Sequence, residues 1–116
     1  MKRLIQLSLW ALLFSSCMQG AKPLYYWGNY EKNSYKMVKG REEEDLNKLM
    51  ETYKDIVENA STKSQRGIPP GVCADYGFFL LSQGKNEEGR RWLDQEKILF
   101  PESAVFIDRI LKTMKQ

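Results

Sequence analysis

From residue 30 onward, apolar side chains recur at three- and four-residue steps, the spacing of helices that bury one face. The clearest run is Leu46, Leu49, Met50, Tyr53, Ile56, Val57 and Ala60. Glu42, Glu43, Glu44 and Asp45 open it and read as a solvated first turn, because negative side chains favour the positive end of a helix dipole. A shorter helix is predicted before it, capped by Asn29 or Asn33 and running through Lys39, with Tyr30, Ser34, Met37 and Val38 along one side. Gly40 is expected to end that helix in a left-handed conformation. Ser61 to Gly71 reads as a loop, and Pro69-Pro70-Gly71 cannot continue a helix, although a proline can open the next one. A third helix over about Val72 to Gln83 presents Val72, Cys73, Tyr76, Phe79 and Leu80 as its buried stripe. Gly84-Lys85-Asn86 predicts a tight turn with Asn86 as N-cap. The fourth helix carries Gly89, Trp92, Leu93, Glu96, Leu99 and Phe100. Pro101-Glu102-Ser103 interrupts the chain, and a fifth helix follows with Ala104, Ile107, Ile110, Leu111 and Met114 on one face. No segment alternates apolar and polar residues for long, so the predicted fold is all-α, about five helices and no sheet.

The first sixteen residues follow a different rule. Lys2 and Arg3 precede an apolar run from Leu4 to Phe14, the layout of a signal peptide. The run is too short to span a bilayer comfortably, which takes about 20 apolar residues. Ser15 and Ser16 then lead into Cys17 and resemble a bacterial lipobox, with Phe14 where leucine is most common. The resemblance implies cleavage before Cys17 and acylation of its thiol and amine, with the membrane as a partner through acyl chains. Met18, not Asp, follows, which implies the outer membrane facing the periplasm in a diderm bacterium. The expected organisation is a signal peptide over residues 1–16, a lipidated cysteine and tether over 17–23, and one helical domain over 24–116.

Charge changes the picture little. The whole chain has 18 basic and 15 acidic residues, a net of +3. Without Lys2 and Arg3 the net is +1, so neither nucleic acid nor a strong attraction to anionic lipid is expected. The chain has no histidine, which removes imidazole acid–base chemistry and His-containing zinc sites. Cys73 would be the lone thiol besides Cys17, so no internal disulfide is expected in the domain. On the apolar stripe of its helix, Cys73 reads as a small hydrophobe rather than a nucleophile. The carboxylates cluster only within runs such as Glu42 to Glu44, where neighbours on a helix point apart. Arg90 and Arg91 read as solvent-facing. No enzyme activity, metal, cofactor or small-molecule substrate is expected.

The third and fourth helices resemble a tetratricopeptide hairpin. That 34-residue pattern falls on Cys73, Tyr76, Gly77, Leu80, Gly89, Leu93 and Pro101, with Gly77 and Pro101 matching in identity. Gly84 falls where such repeats place a glycine between their helices. Gly77 and Gly89 lack side chains, so two helix axes can approach closely there. Glu96 replaces the usual alanine and suggests a less completely covered hairpin. Tyr26 to Ala60 reads as a degenerate first hairpin and the last helix as a cap.

Leu24 to Tyr30 is the densest aromatic stretch. Trp27-Gly28-Asn29-Tyr30 and the later Pro69 to Gly77 segment, behind a lipobox, resemble a bacterial lipoprotein family classed as a domain of unknown function. The resemblance implies an outer-membrane assembly with a curli-secretion-type pore lipoprotein as neighbour, and it supplies no catalytic residue. Tyr25, Tyr26, Trp27 and Tyr30 are the candidate partner-binding residues, since Tyr and Trp give stiff contact area with a polar tip. Trp27 and Tyr30 equally suit plugging the end of the core, the favoured role for Trp27, while Tyr25 and Tyr26 stay open between the two. The leading expectation is an adaptor that binds another envelope protein. The alternative is a structural accessory subunit of an outer-membrane complex.

Overall fold

The computed structural model describes Met1 and residues 20–114, so the expected signal peptide and Cys17 lie outside the described residues. Five α-helices follow in order: α1 (Tyr30–Gly40), α2 (Glu43–Lys63), α3 (Val72–Ser82), α4 (Asn86–Leu99) and α5 (Ala104–Thr113), with a 3-10 turn at Pro101–Ser103. Among the described residues there is no strand. Helices adjacent in sequence pack on one another, so the chain forms two hairpins, α1–α2 and α3–α4, with α5 against the second.

The stripe on α2 supplies the main core. Met50, Tyr53, Ile56 and Ala60 are buried with Val72, Tyr76 and Leu80 of α3. Helix α2 runs past Ser61 to Lys63, and the buried Ser64 ends it. The Ser64 hydroxyl donates to the Ala60 carbonyl at 2.6 Å and accepts the Gly67 amide at 3.0 Å.

Helix α3 is central. Its other face carries Ala74, which packs with Leu93 of α4 and Ile107 of α5 in a second cluster. Gly77 and Gly89 bring α3 and α4 together as their spacing predicts. A Cβ on Gly77 would lie 2.8 Å from the Gly89 carbonyl oxygen, and one on Gly89 would lie 2.7 Å from that of Gly77. Gly84 is left-handed, with φ 77°. The Lys85 amide donates to the Leu80 carbonyl and the Gly84 amide to that of Leu81, the pairing that satisfies the last carbonyls of a helix closed by glycine. Pro101 opens the 3-10 turn between α4 and α5, ending the hairpin where the repeat spacing puts it.

Three local expectations shift. Gly40 is the last residue of α1, and the left-handed position belongs to Arg41, with φ 54°. A non-glycine residue there costs about 1 kcal/mol, offset locally by the Arg41 amide donating to the Met37 carbonyl at 3.0 Å. Lys85, not Asn86, occupies the N-cap of α4, and its side chain makes no capping bond. Of the two candidate caps of α1, Asn29 holds the N-cap position without a side-chain capping bond, and the Asn33 amide instead donates to the Thr52 hydroxyl at 2.7 Å and ties α1 to α2.

Candidate functional site

The aromatic stretch runs as a strap across the first hairpin. The Gln65 amide donates to the Pro23 carbonyl and the Arg66 amide to that of Leu24, each at 3.0 Å. Lys22 donates to the Thr62 carbonyl at 2.9 Å. Lys22 and Pro23, expected to belong to the tether, are therefore fastened with Leu24 to the end of α2.

Tyr26 is a structural tie. Its hydroxyl donates to Asp55 Oδ2 at 2.7 Å, and the Lys63 ammonium sits 4.4 Å above its ring. Gly28 follows in a left-handed turn with φ 52°, and a Cβ there would lie 3.0 Å from the same Asp55 oxygen. Tyr25 is half-buried. Trp27 departs from its favoured role as a core plug: 43% of its surface is exposed. Its ring lies over Tyr30, with centroids 5.4 Å apart, because the Gly28 turn leaves it on the outside of the strap. Tyr30 is half-buried and meets Tyr53 at 5.8 Å. The Tyr53 hydroxyl donates to Asp75 Oδ2 at 3.1 Å, and burial first, then the Asp75 carboxylate, raises its pKa. Tyr53 thus joins the two sequence stretches that carry the family resemblance.

The start of α3 holds a second polar arrangement. Gly71 caps the helix with φ 88°. Its amide donates to Glu96 Oε1 at 2.7 Å. Glu96 is only 2% exposed, so the charge does not mark an open hairpin face; it reaches across from α4 and serves the unpaired amides of α3. Burial pushes its carboxyl up, and the amides of Gly71, Ala74 and Cys73 pull it back. Glu96 Oε2 has no hydrogen-bond partner in the protein. Cys73 is fully buried, and burial, then the Glu96 charge, pushes its thiol up to about 12. At neutral pH it is a protonated packing residue. Among the described residues no group of three His, Cys, Asp or Glu side chains is placed to hold a metal.

An open groove lies between the hairpins. It measures about 360 Å³ and has Met50 on the α2 side and Tyr76, Phe79 and Leu80 on the α3 side, with Glu51, Lys54 and Lys85 at its rim. Trp92 of α4 packs on Tyr76 with centroids 5.7 Å apart. Sequence reasoning placed the binding aromatics on the strap alone. The apolar stripes of α2 and α3 held the signal for the groove, but both read as core.

Comparison with known proteins gives one family match. Residues 24–110, three quarters of the chain, match the family described as Domain of unknown function (DUF4810). No curated protein and no solved structure matches the chain. The match begins at the strap and ends within α5, covering both hairpins, and the chain belongs to the DUF4810 family.

Proposed function

We propose that the chain is a lipoprotein, acylated at Cys17 and held on the periplasmic side of the outer membrane, that acts as a non-enzymatic adaptor for another envelope protein. The groove between α2 and α3 carries this reading: an apolar floor with charges of both signs at the rim suits an extended peptide or a helix. On the strap, Trp27 is exposed and can add a second anchor, whereas Tyr26 is committed to Asp55. The resemblance adds a curli-secretion-type pore lipoprotein as the partner to look for first. Ile98, Val105 and Phe106, all well exposed at the α4–α5 end, favour the accessory-subunit reading, in which a larger complex covers them.

The test is mild crosslinking and affinity capture of the full-length protein from its native membranes. The adaptor reading expects one envelope protein in near-equal amount. That recovery should be lost in a Lys54→Glu, Lys85→Glu variant whose helical content and melting are unchanged. A partner that ignores the rim and Trp27→Ala but is lost on Phe106→Ser supports the accessory subunit. Recovery of the protein alone sinks both.

A further inference from the structure

The near-zero net charge of the mature chain averages two unlike parts. Residues 22–41 carry five basic side chains and one acidic, whereas residues 42–116 carry eleven basic and fourteen acidic. The positive part is the strap and α1. Helix α1 has no buried residue. Lys32, Tyr35, Lys36 and Lys39 fall at the spacing of one helix face, and all four are exposed, Tyr35 by 66%. The Lys39 ammonium lies 6.0 Å above the Tyr35 ring, so the tyrosine sits within the lysine stripe.

The strap fixes where this face stands relative to the expected anchor. Lys22 to Leu24 are fastened to the end of α2, and α1 begins just beyond them at Tyr30. Four residues separate Cys17 from Lys22. Even fully extended, that stretch reaches less than about 18 Å. The strap, with the end of α2 that it is fastened to, is therefore held within that reach of whatever holds Cys17, and α1 is the next element along the chain.

We propose that the Lys32–Lys36–Lys39 face of α1 rests on an anionic lipid surface, with Tyr35 at the headgroup level. The proposal rests on the acylated Cys17 put forward above. A short anchor alone leaves the domain free to roll. A basic stripe on the helix that follows the strap sets its orientation, because lysines near anionic headgroups are attracted within about a Debye length, roughly 10 Å. Tyrosine suits the interface, having an apolar ring and a polar tip. The groove between α2 and α3 belongs to the oppositely charged part and is left for a partner.

The experiment is lysine-acylation footprinting of the full-length, natively processed protein in two kinds of vesicle, phosphatidylcholine alone and phosphatidylcholine with a third phosphatidylglycerol. Lys32, Lys36 and Lys39 are expected to react at least about threefold more slowly on the anionic vesicles. The protection should vanish in about 0.5 M salt. Lys85 and Lys112 should not change. Lys22, close to the anchor, should slow with them, and a Lys32→Glu, Lys36→Glu, Lys39→Glu variant should remove that change at Lys22 while keeping its helical content. Equal rates on both vesicles overturn the proposal. So does protection seen only in native membranes, which would give this face to an acidic protein instead. The mass of the N-terminal peptide separates the two levels. An acylated Cys17 without protection overturns the stripe alone, whereas an unmodified Cys17 overturns the anchor and the orientation with it.

Discussion

The two hairpins share a topology and are held by different chemistry. In α3–α4 the helices touch through Gly77 and Gly89, and fully buried Leu93 fills the space beside them. In α1–α2 no residue of α1 is buried, and the helix is held by Asn33 on Thr52, by Tyr30 on Tyr53, and by the strap. Close backbone approach leaves no slack, since a packed interior does not absorb an added methyl without strain. Polar ties at a half-open surface are weaker one by one, because water competes for each. Helices α2 to α4 are thus the packed body of the domain, and α1 with the strap is a layer fastened to it.

The sharpest way to break this contrast is to fill the glycine contact. Gly77→Leu should cost about 3 kcal/mol or more, read by urea denaturation, since the neighbour is a backbone carbonyl that cannot turn aside. The gain of about 1 kcal/mol from removing a helical glycine does not offset it. Next comes Glu96→Ala, which installs the residue usual in tetratricopeptide hairpins. It should cost about 2 kcal/mol, because the Gly71 amide loses its acceptor and a buried space opens. Tyr26→Phe acts on the other hairpin and should cost about 1 kcal/mol. Its signature is local: hydrogen exchange should quicken at the Gln65 and Arg66 amides while α3 and α4 stay protected. Equal loosening of all four helices would show that the strap and the second hairpin form one cooperative unit.

The smallest effect is a pH dependence. The Glu96 carboxyl is raised above its ordinary range by burial, so the folded state holds its proton to higher pH than the unfolded chain does. The stability this contributes is fully present at low pH and is lost as pH rises through the folded value. Glu96→Gln does not titrate there. Its stability relative to wild type should therefore improve as pH rises from about 4 to about 7. A difference that stays flat, or runs the other way, would mean that the α3 amides outweigh burial.

Much of the fold is legible in the sequence because it is local. The stripe from Leu46 to Ala60 makes α2, and Gly77, Gly84, Gly89 and Pro101 mark the second hairpin by spacing alone. What was not legible depends on partners far along the chain. Nothing near Glu96 says that its carboxylate meets the amide of Gly71. Nothing near Lys22 says that the strap fastens at Thr62 to Arg66. The aromatic motif was conspicuous, but its division of labour was not: Tyr26 and Tyr30 are spent on structure, and Trp27 stays outside. The charge separation between residues 22–41 and the remainder was present in the sequence throughout, hidden by summing over the whole chain.

The strap also decides how the domain answers a mechanical load. A pull applied on the N-terminal side of Lys22 reaches the Pro23 and Leu24 carbonyls before it reaches α1. From there it passes to Gln65 and Arg66, at the junction between the two hairpins, and α1 is bypassed. Two neighbouring backbone bonds hold the chain at that point. The Lys22 bond stands ahead of them and takes load first, and the Tyr26 bond stands behind them as reserve. Tugging on the chain ahead of Lys22 is therefore carried by the middle of the fold, and the thinly packed first helix is spared.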